Sequence, residues 1–162
     1  MGTNSRIALA LTSLLVVAVA LYDLRLWQPE RQVRLHQQNF LRAAENRDWK
    51  RFSTFLSTQY HDRWGHDKTF TVRETSEVLR QFFALTIERE EVRFELANDR
   101  AMVAERLKLE GNGTAIAQFA RQEVNRLREP FVFEWTRQSW KPWDWQLTRA
   151  DNAQLRVGEW QD

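Results

Sequence analysis

Cysteine is absent from the 162 residues, and glycine and proline are scarce, at five and three. No disulfide framework or thiolate metal site can be built, and collagen-like repeats and Pro/Gly-rich low-complexity tracts are excluded. The chain also lacks an excess of one charge: 24 Lys and Arg face 22 Asp and Glu, for a formal net charge of +2. In the second half Arg121, Arg126, Arg128 and Arg137 are interleaved with Glu123, Glu129 and Glu134. No basic face forms, so nucleic acid is not expected as a partner.

Long apolar runs are lacking too, except for one. Ile7 to Tyr22 (IALALTSLLVVAVALY) follows Arg6 and carries no charge. At ~1.5 Å per residue the run reaches roughly 24 Å, and Asp23 to Trp27 extends it to about 31 Å, the thickness of a bilayer's hydrocarbon core. Tyr22 and Trp27 stand where interfacial aromatics belong, and Asp23 and Arg25 can snorkel. The run predicts a single-pass membrane anchor in residues 1–28, with a transmembrane helix over about 7–27. The competing reading is a cleaved secretory signal, with Ala18-Val19-Ala20 as its small-x-small site and cleavage after Ala20. The anchor is favoured because apolar residues continue through Leu21, Tyr22, Leu24 and Leu26 instead of giving way to a polar stretch. A short charged leader before the run places the following domain outside the cytoplasm, although Arg25, Arg31 and Arg34 weigh the other way in a positive-inside count.

Residues 29–162 read as one domain whose hydrophobic period changes midway. Pro29 suits a first helical position, and Val33, Phe40, Leu41 and Ala44 follow a 3.6-residue period, with His36 and Gln37 between them. Asp48 is placed to cap a second helix with Trp49, Phe52, Phe55 and Leu56 on one stripe. A third helix is predicted from Asp67 or Thr69 to about Ala84, with Val72, Leu79, Phe82 and Phe83 facing inward. Thereafter the period is two: Val92, Phe94 and Leu96; Val103, Glu105, Leu107 and Leu109; Ala115, Ala117 and Phe119; Phe131, Phe133 and Trp135; Trp143, Trp145 and Leu147. Asn98-Asp99-Arg100, Gly111-Asn112-Gly113 and Lys141-Pro142 read as turns, the second as a hairpin. The expected class is α+β: three helices packed on one face of a curved, mostly antiparallel sheet of four to six strands.

Phe40 to Trp49 (FLRAAENRDW), the Asp-Trp step into a second helix, the Tyr60 to Gly65 connector, Gln81-Phe82-Phe83 and the closing Trp143 to Leu147 (WDWQL) carry a resemblance. Together they are similar to the nuclear transport factor 2-like (SnoaL-like, cone-shaped) superfamily, over roughly residues 30–150. The resemblance implies a curved sheet wrapped around three helices, with a pocket between them. Members include isomerases, dehydratases, epoxide hydrolases, binding modules and membrane-tethered assembly domains. Neither the isomerase set of acidic and phenolic groups nor the hydrolase Asp, Arg, Asp set can be matched here residue by residue.

Candidate chemistry is densest at Tyr60-His61-Asp62-Arg63-Trp64-Gly65-His66-Asp67. Tyr60, His61, Asp62, His66 and Asp67 are the catalytic candidates, since a histidine beside a carboxylate is poised to move protons near neutral pH. The structural alternative is that Asp67 caps a helix, Tyr60 and Trp64 pack, and both histidines are solvated. The His and Asp spacing matches no zinc pattern, so no metal and no cofactor is expected. Trp64, Glu105, Trp135 and Trp145 are the expected lining of a ligand pocket. Glu105 shares a strand face with Val103 and Leu107, and is either buried with a partner or a sign that this face is exposed.

Eight tryptophans suit either core packing or an aromatic-lined cavity. The expected function is that of a membrane-anchored, non-catalytic domain that binds a small hydrophobic ligand or a protein partner, with homodimerisation through the sheet. The alternative is a small isomerase- or dehydratase-like enzyme using the Tyr60 to Asp67 cluster.

Overall fold

The computed structural model describes residues 12–17 and 27–155. Most of the expected transmembrane helix therefore lies outside the described residues. Among those described, no helix is long and apolar enough to cross a membrane.

Helix α1 (Pro29–Glu45) opens on Pro29 and buries Val33, Gln37, Phe40, Leu41 and Ala44 along the predicted stripe. Arg47, with φ at 58°, turns the chain into α2 (Trp49–Phe55). Asp48 starts that helix as expected, its Oδ1 accepting a hydrogen bond from the Arg51 amide at 3.0 Å. A connector leads to α3 (Lys68–Leu79), which Asp67 caps by accepting from the Phe70 amide at 2.8 Å.

The third helix is shorter than the sequence predicts. It ends at Leu79, and Phe82 already begins strand β1 (Phe82–Ala97). Strand alternation then buries Phe82 and leaves Phe83, expected inside, 75% exposed. The turn at Asn98, with φ at 52°, connects to β2 (Arg100–Gly113). Helix α4 (Ala115–Arg126) follows, then β3 (Phe131–Arg137) and β4 (Trp145–Asp151). The four strands form one antiparallel sheet in the order β1-β2-β3-β4. Residue pairing shifts within β1 near Phe82 and near Val92, and within β4 at Thr148, opposite Glu134 and Trp135, which are the irregularities that bend and twist strands.

Two further expectations are corrected. Ala115 to Ala120 is helix, not strand: Thr114 caps it, and Ala117 and Ala120 are buried at a spacing of three. The described part of the domain thus has four helices from Pro29 onward instead of three. Gly111-Asn112-Gly113 is the end of β2, not a hairpin. Gly111 is required there for two reasons: its φ is +134°, and a Cβ would lie 2.0 Å from the Ala84 carbonyl oxygen on the neighbouring strand. Gly111→Ala should therefore cost about 2 kcal/mol, read as a lowered urea midpoint with an unchanged slope. Trp143, expected in a strand, sits in the β3–β4 loop and is half exposed.

The core lies between the helices and the sheet face bearing Ala101, Val103, Leu109, Phe133, Trp135, Trp145 and Leu147. The other face of β1 and β2 is charged, with Lys108 Nζ 2.6 Å from Glu110 and 3.4 Å from Glu88, and Arg106 3.6 Å from Glu90.

Candidate functional site

The connector between α2 and α3 is organised by Asp62. Its Oδ1 accepts from the Trp64 amide at 2.9 Å and the His66 amide at 2.8 Å, and its Oδ2 lies 2.9 Å from His66 Nδ1. Gly65, with φ at 85°, allows the chain to double back, and the Asp62 amide donates to the His66 carbonyl at 3.1 Å. Asp62 is buried, and the His66 ring stacks on Phe70 with centroids 4.1 Å apart. The imidazole is thus held by a carboxylate on one nitrogen, leaving Nε2 as the nitrogen with chemistry to offer.

Tyr60, Asp62 and His66 come together on a cavity of about 290 Å³. Its walls are mostly apolar, with Phe40, Phe52, Phe70, Leu107, Phe133 and Val124 contributed by both helices and sheet, and Trp64 at the connector. Burial pushes the Tyr60 phenol well above its ordinary range, and the Asp62 carboxylate adds to the rise. Tyr60 is therefore a hydrogen-bond donor at every physiological pH. Thr71 acts weakly in the opposite direction, yet its Oγ1 is buried without a well-formed hydrogen bond. Asp151, also in the wall, has an Oδ1 without a hydrogen bond; Arg63 Nη1 lies 3.5 Å away. Sequence reasoning passed over Thr71 and Asp151, which carry no local motif and become wall residues only through packing.

Two of the cluster's candidates go elsewhere. Asp67 is the α3 cap, and His61 is exposed, its Nδ1 3.3 Å from the Gln59 carbonyl. His66 departs from the solvated alternative by pairing with Asp62, while Tyr60 packs as that alternative had it.

Of the expected pocket residues, Trp64 lines the apolar cavity, but Trp135 and Trp145 do not. They are 0% and 2% exposed and belong to the core. Trp135 Nε1 donates to Gln37 Oε1 at 2.9 Å, and Trp145 Nε1 donates to the Pro142 carbonyl at 2.9 Å, so both indole N–H groups are satisfied.

Glu105 is buried with partners, and it borders a different space. Gln37 Nε2 donates to its Oε2 at 2.8 Å and Arg89 Nη1 to its Oε1 at 3.0 Å. Burial nevertheless raises its carboxyl above the usual carboxylate range, with Gln37 and Arg89 pulling the other way. The adjoining cavity of about 590 Å³ is polar, bounded by Arg31, Arg34, Gln38, Arg89 and Glu91 near the start of α1. Gln37 was the overlooked residue here, although its register with Val33, Phe40 and Leu41 marked it as a polar group on a buried stripe.

No family model matches the chain, and no curated protein matches it. Solved structures do. A conserved protein of Planctomyces limnophilus superposes with a TM-score of 0.59 at 16% identity, covering 76% of this chain and 93% of that one. A nuclear transport factor 2-like (NTF2-like) protein of unknown function from Pseudomonas putida gives 0.55 at 11% identity, covering 75% and 82%. Bd1075 of Bdellovibrio bacteriovorus gives 0.56 at 9% identity over 75% of this chain, which spans 40% of the length of that one. At these identities the likeness establishes the fold: an α+β domain of nuclear transport factor 2-like architecture, with helices packed on a four-stranded antiparallel sheet. Fold does not choose among activities.

Proposed function

We propose that the chain is a membrane-anchored binding domain whose apolar cavity takes a small hydrophobic ligand carrying one polar group. The observation that supports this is the cavity itself: about 290 Å³, walled mostly by aromatic and aliphatic side chains, with a minority of polar groups that include Tyr60, Asp62, His66, Thr71 and Asp151. An apolar space with a small polar cluster is the usual form of a small-molecule site. Residues 7–27 tether this domain to a bilayer, with the domain outside the cytoplasm, and apolar ligands concentrate in a bilayer. Pairing of two copies through the sheet is the weaker partner reading, because the outer face of β1 and β2 is laced with ion pairs that are best left solvated.

β-Tetralone, a bicyclic ketone of suitable shape, is a direct probe. At a hundredfold excess over its dissociation constant it should stabilise the domain by about 2.7 kcal/mol, seen as a raised melting temperature. Thr75→Phe, which fills the cavity from α3, should abolish that shift. A shift of equal size in the variant would show that the ketone binds elsewhere.

One observation favours a second reading, an acid/base enzyme of the isomerase or dehydratase kind: His66 is oriented by Asp62 on the wall of the same cavity as the Tyr60 phenol. A base and a proton donor facing one apolar space suffice for proton abstraction next to a carbonyl. The same ketone separates the two readings. An enzyme would accelerate exchange of its α-hydrogens into deuterated water, and His66→Gln would remove that acceleration; a binding domain shows no acceleration in either form.

A further inference from the structure

The loop between β3 and β4 holds two large aromatic side chains that lie outside the core. Trp140 is 82% exposed and Trp143 50% exposed. The loop is nevertheless well tied: the Gln138 amide donates to the Asp144 carbonyl at 2.8 Å, the Asp144 amide to the Lys141 carbonyl at 3.2 Å, and Trp145 Nε1 to the Pro142 carbonyl. Lys141, between the two indoles, makes no ion pair among the described residues. The third member of the patch comes from the other end of the sequence. Trp27 is 53% exposed and meets Trp143 edge to face, with ring centroids 6.3 Å apart. Trp27 stands five residues after Tyr22, the last residue of the uncharged run.

We propose that Trp27, Trp140 and Trp143, with Lys141, form a bilayer-contacting surface. It sets this end of the sheet into the headgroup layer of the membrane that residues 7–27 cross, and it rests on the anchor reading of those residues. Indole rings favour the membrane–water interface, where the ring is half desolvated and its N–H stays wet. A lysine without an acidic partner suits anionic headgroups. The Trp27–Trp143 contact joins the patch to the point where the chain leaves the expected span, so a bilayer and not a second protein is the occupant that this placement favours. Domain orientation is then fixed by two contacts instead of one flexible tether.

The absence of cysteine makes the test direct, because one introduced cysteine is a unique label. The full chain is reconstituted into phosphatidylcholine–phosphatidylglycerol vesicles with an NBD fluorophore at Trp140→Cys, or at Asn112→Cys, an exposed position at the opposite end of β2. Both sites are exposed, so neither label threatens the fold. The vesicles are washed with alkaline carbonate and then compared with vesicles carrying nitroxide at the lipid headgroup. The expected result is a chain that resists carbonate, with the label at position 140 quenched several-fold more strongly than the label at position 112. A carbonate-resistant chain with equal, weak quenching at both positions would overturn the surface and leave the anchor standing. A chain stripped off by carbonate would overturn the anchor, and the proposal with it.

Discussion

Trp135→Ala is expected to remove about 3–5 kcal/mol of folding stability, a large part of the margin of a domain this size. The indole is 0% exposed and meets the edges or faces of three rings, with centroids 6.0 Å from His36, 6.1 Å from Phe40 and 6.4 Å from Phe55. These rings come from α1 and α2, so the side chain joins both helices to β3. Truncation would leave a cavity at that junction and also strip Gln37 Oε1 of its donor. Trp135→Phe separates the two effects: most of the ring is kept, and the unpaired carbonyl accounts for a loss of about 1–3 kcal/mol. Urea denaturation of the full chain in detergent reads both. A loss below about 1 kcal/mol for the alanine variant would mean that the helices do not depend on this contact.

Glu105→Gln should become more stabilising, relative to the native protein, as pH rises through the range where the native carboxyl stays protonated. An unfolded glutamate releases its proton near pH 4.5, while burial holds the native carboxyl above that value. Below pH 4.5 both states are protonated and nothing is lost. Between the unfolded and the native pKa the unfolded chain gives up a proton that the native chain retains. Stability therefore falls as pH rises, by up to about 1.4 kcal/mol per pH unit for this one group, and the penalty is complete above the native pKa. Glutamine keeps the shape and an oxygen for Gln37 to donate to, but it does not titrate. Across denaturations repeated at pH values from roughly 4 to 8, the variant should gain on the native protein above the unfolded pKa and stop gaining once the native carboxyl has ionised. A stability difference that stays constant across that range would show that the native carboxyl ionises like an exposed one.

Much of the fold was legible because local signals and tertiary packing agree. The α1 stripe, the Asp48 and Asp67 caps and the alternation in β2, β3 and β4 all reappear in the structure. The miss at α4 has a physical cause. Ala115 to Ala120 has apolar residues on both parities, so a period of two fits as well as a helical one, and two glycines just before it resemble a hairpin. The better signal was Thr114 as a cap, followed by Ala117, Ala120 and Val124 at spacings of three and four. The glycines answer to a neighbour instead: a Cβ at Gly113 would meet the Gln81 carbonyl oxygen at 2.3 Å, a contact invisible in one dimension. At the site, the cluster was visible but its division of labour was not. Which of two histidines meets Asp62 depends on the turn that Gly65 permits, and which of four residues line a cavity depends on how deeply the sheet buries each. Trp135 and Trp145 went to the core, and Glu105 to a separate polar cavity.

The central claim, that the space between helices and sheet beside Tyr60 and His66 receives a small apolar molecule, is tested most directly by a crystal structure of the chain grown with β-tetralone. The account predicts density for the bicycle between Phe70, Leu107 and Phe133, with its oxygen at Tyr60 or Thr71. Density for the ketone only outside this cavity, with Trp64 and Phe70 collapsed into the space, would contradict it.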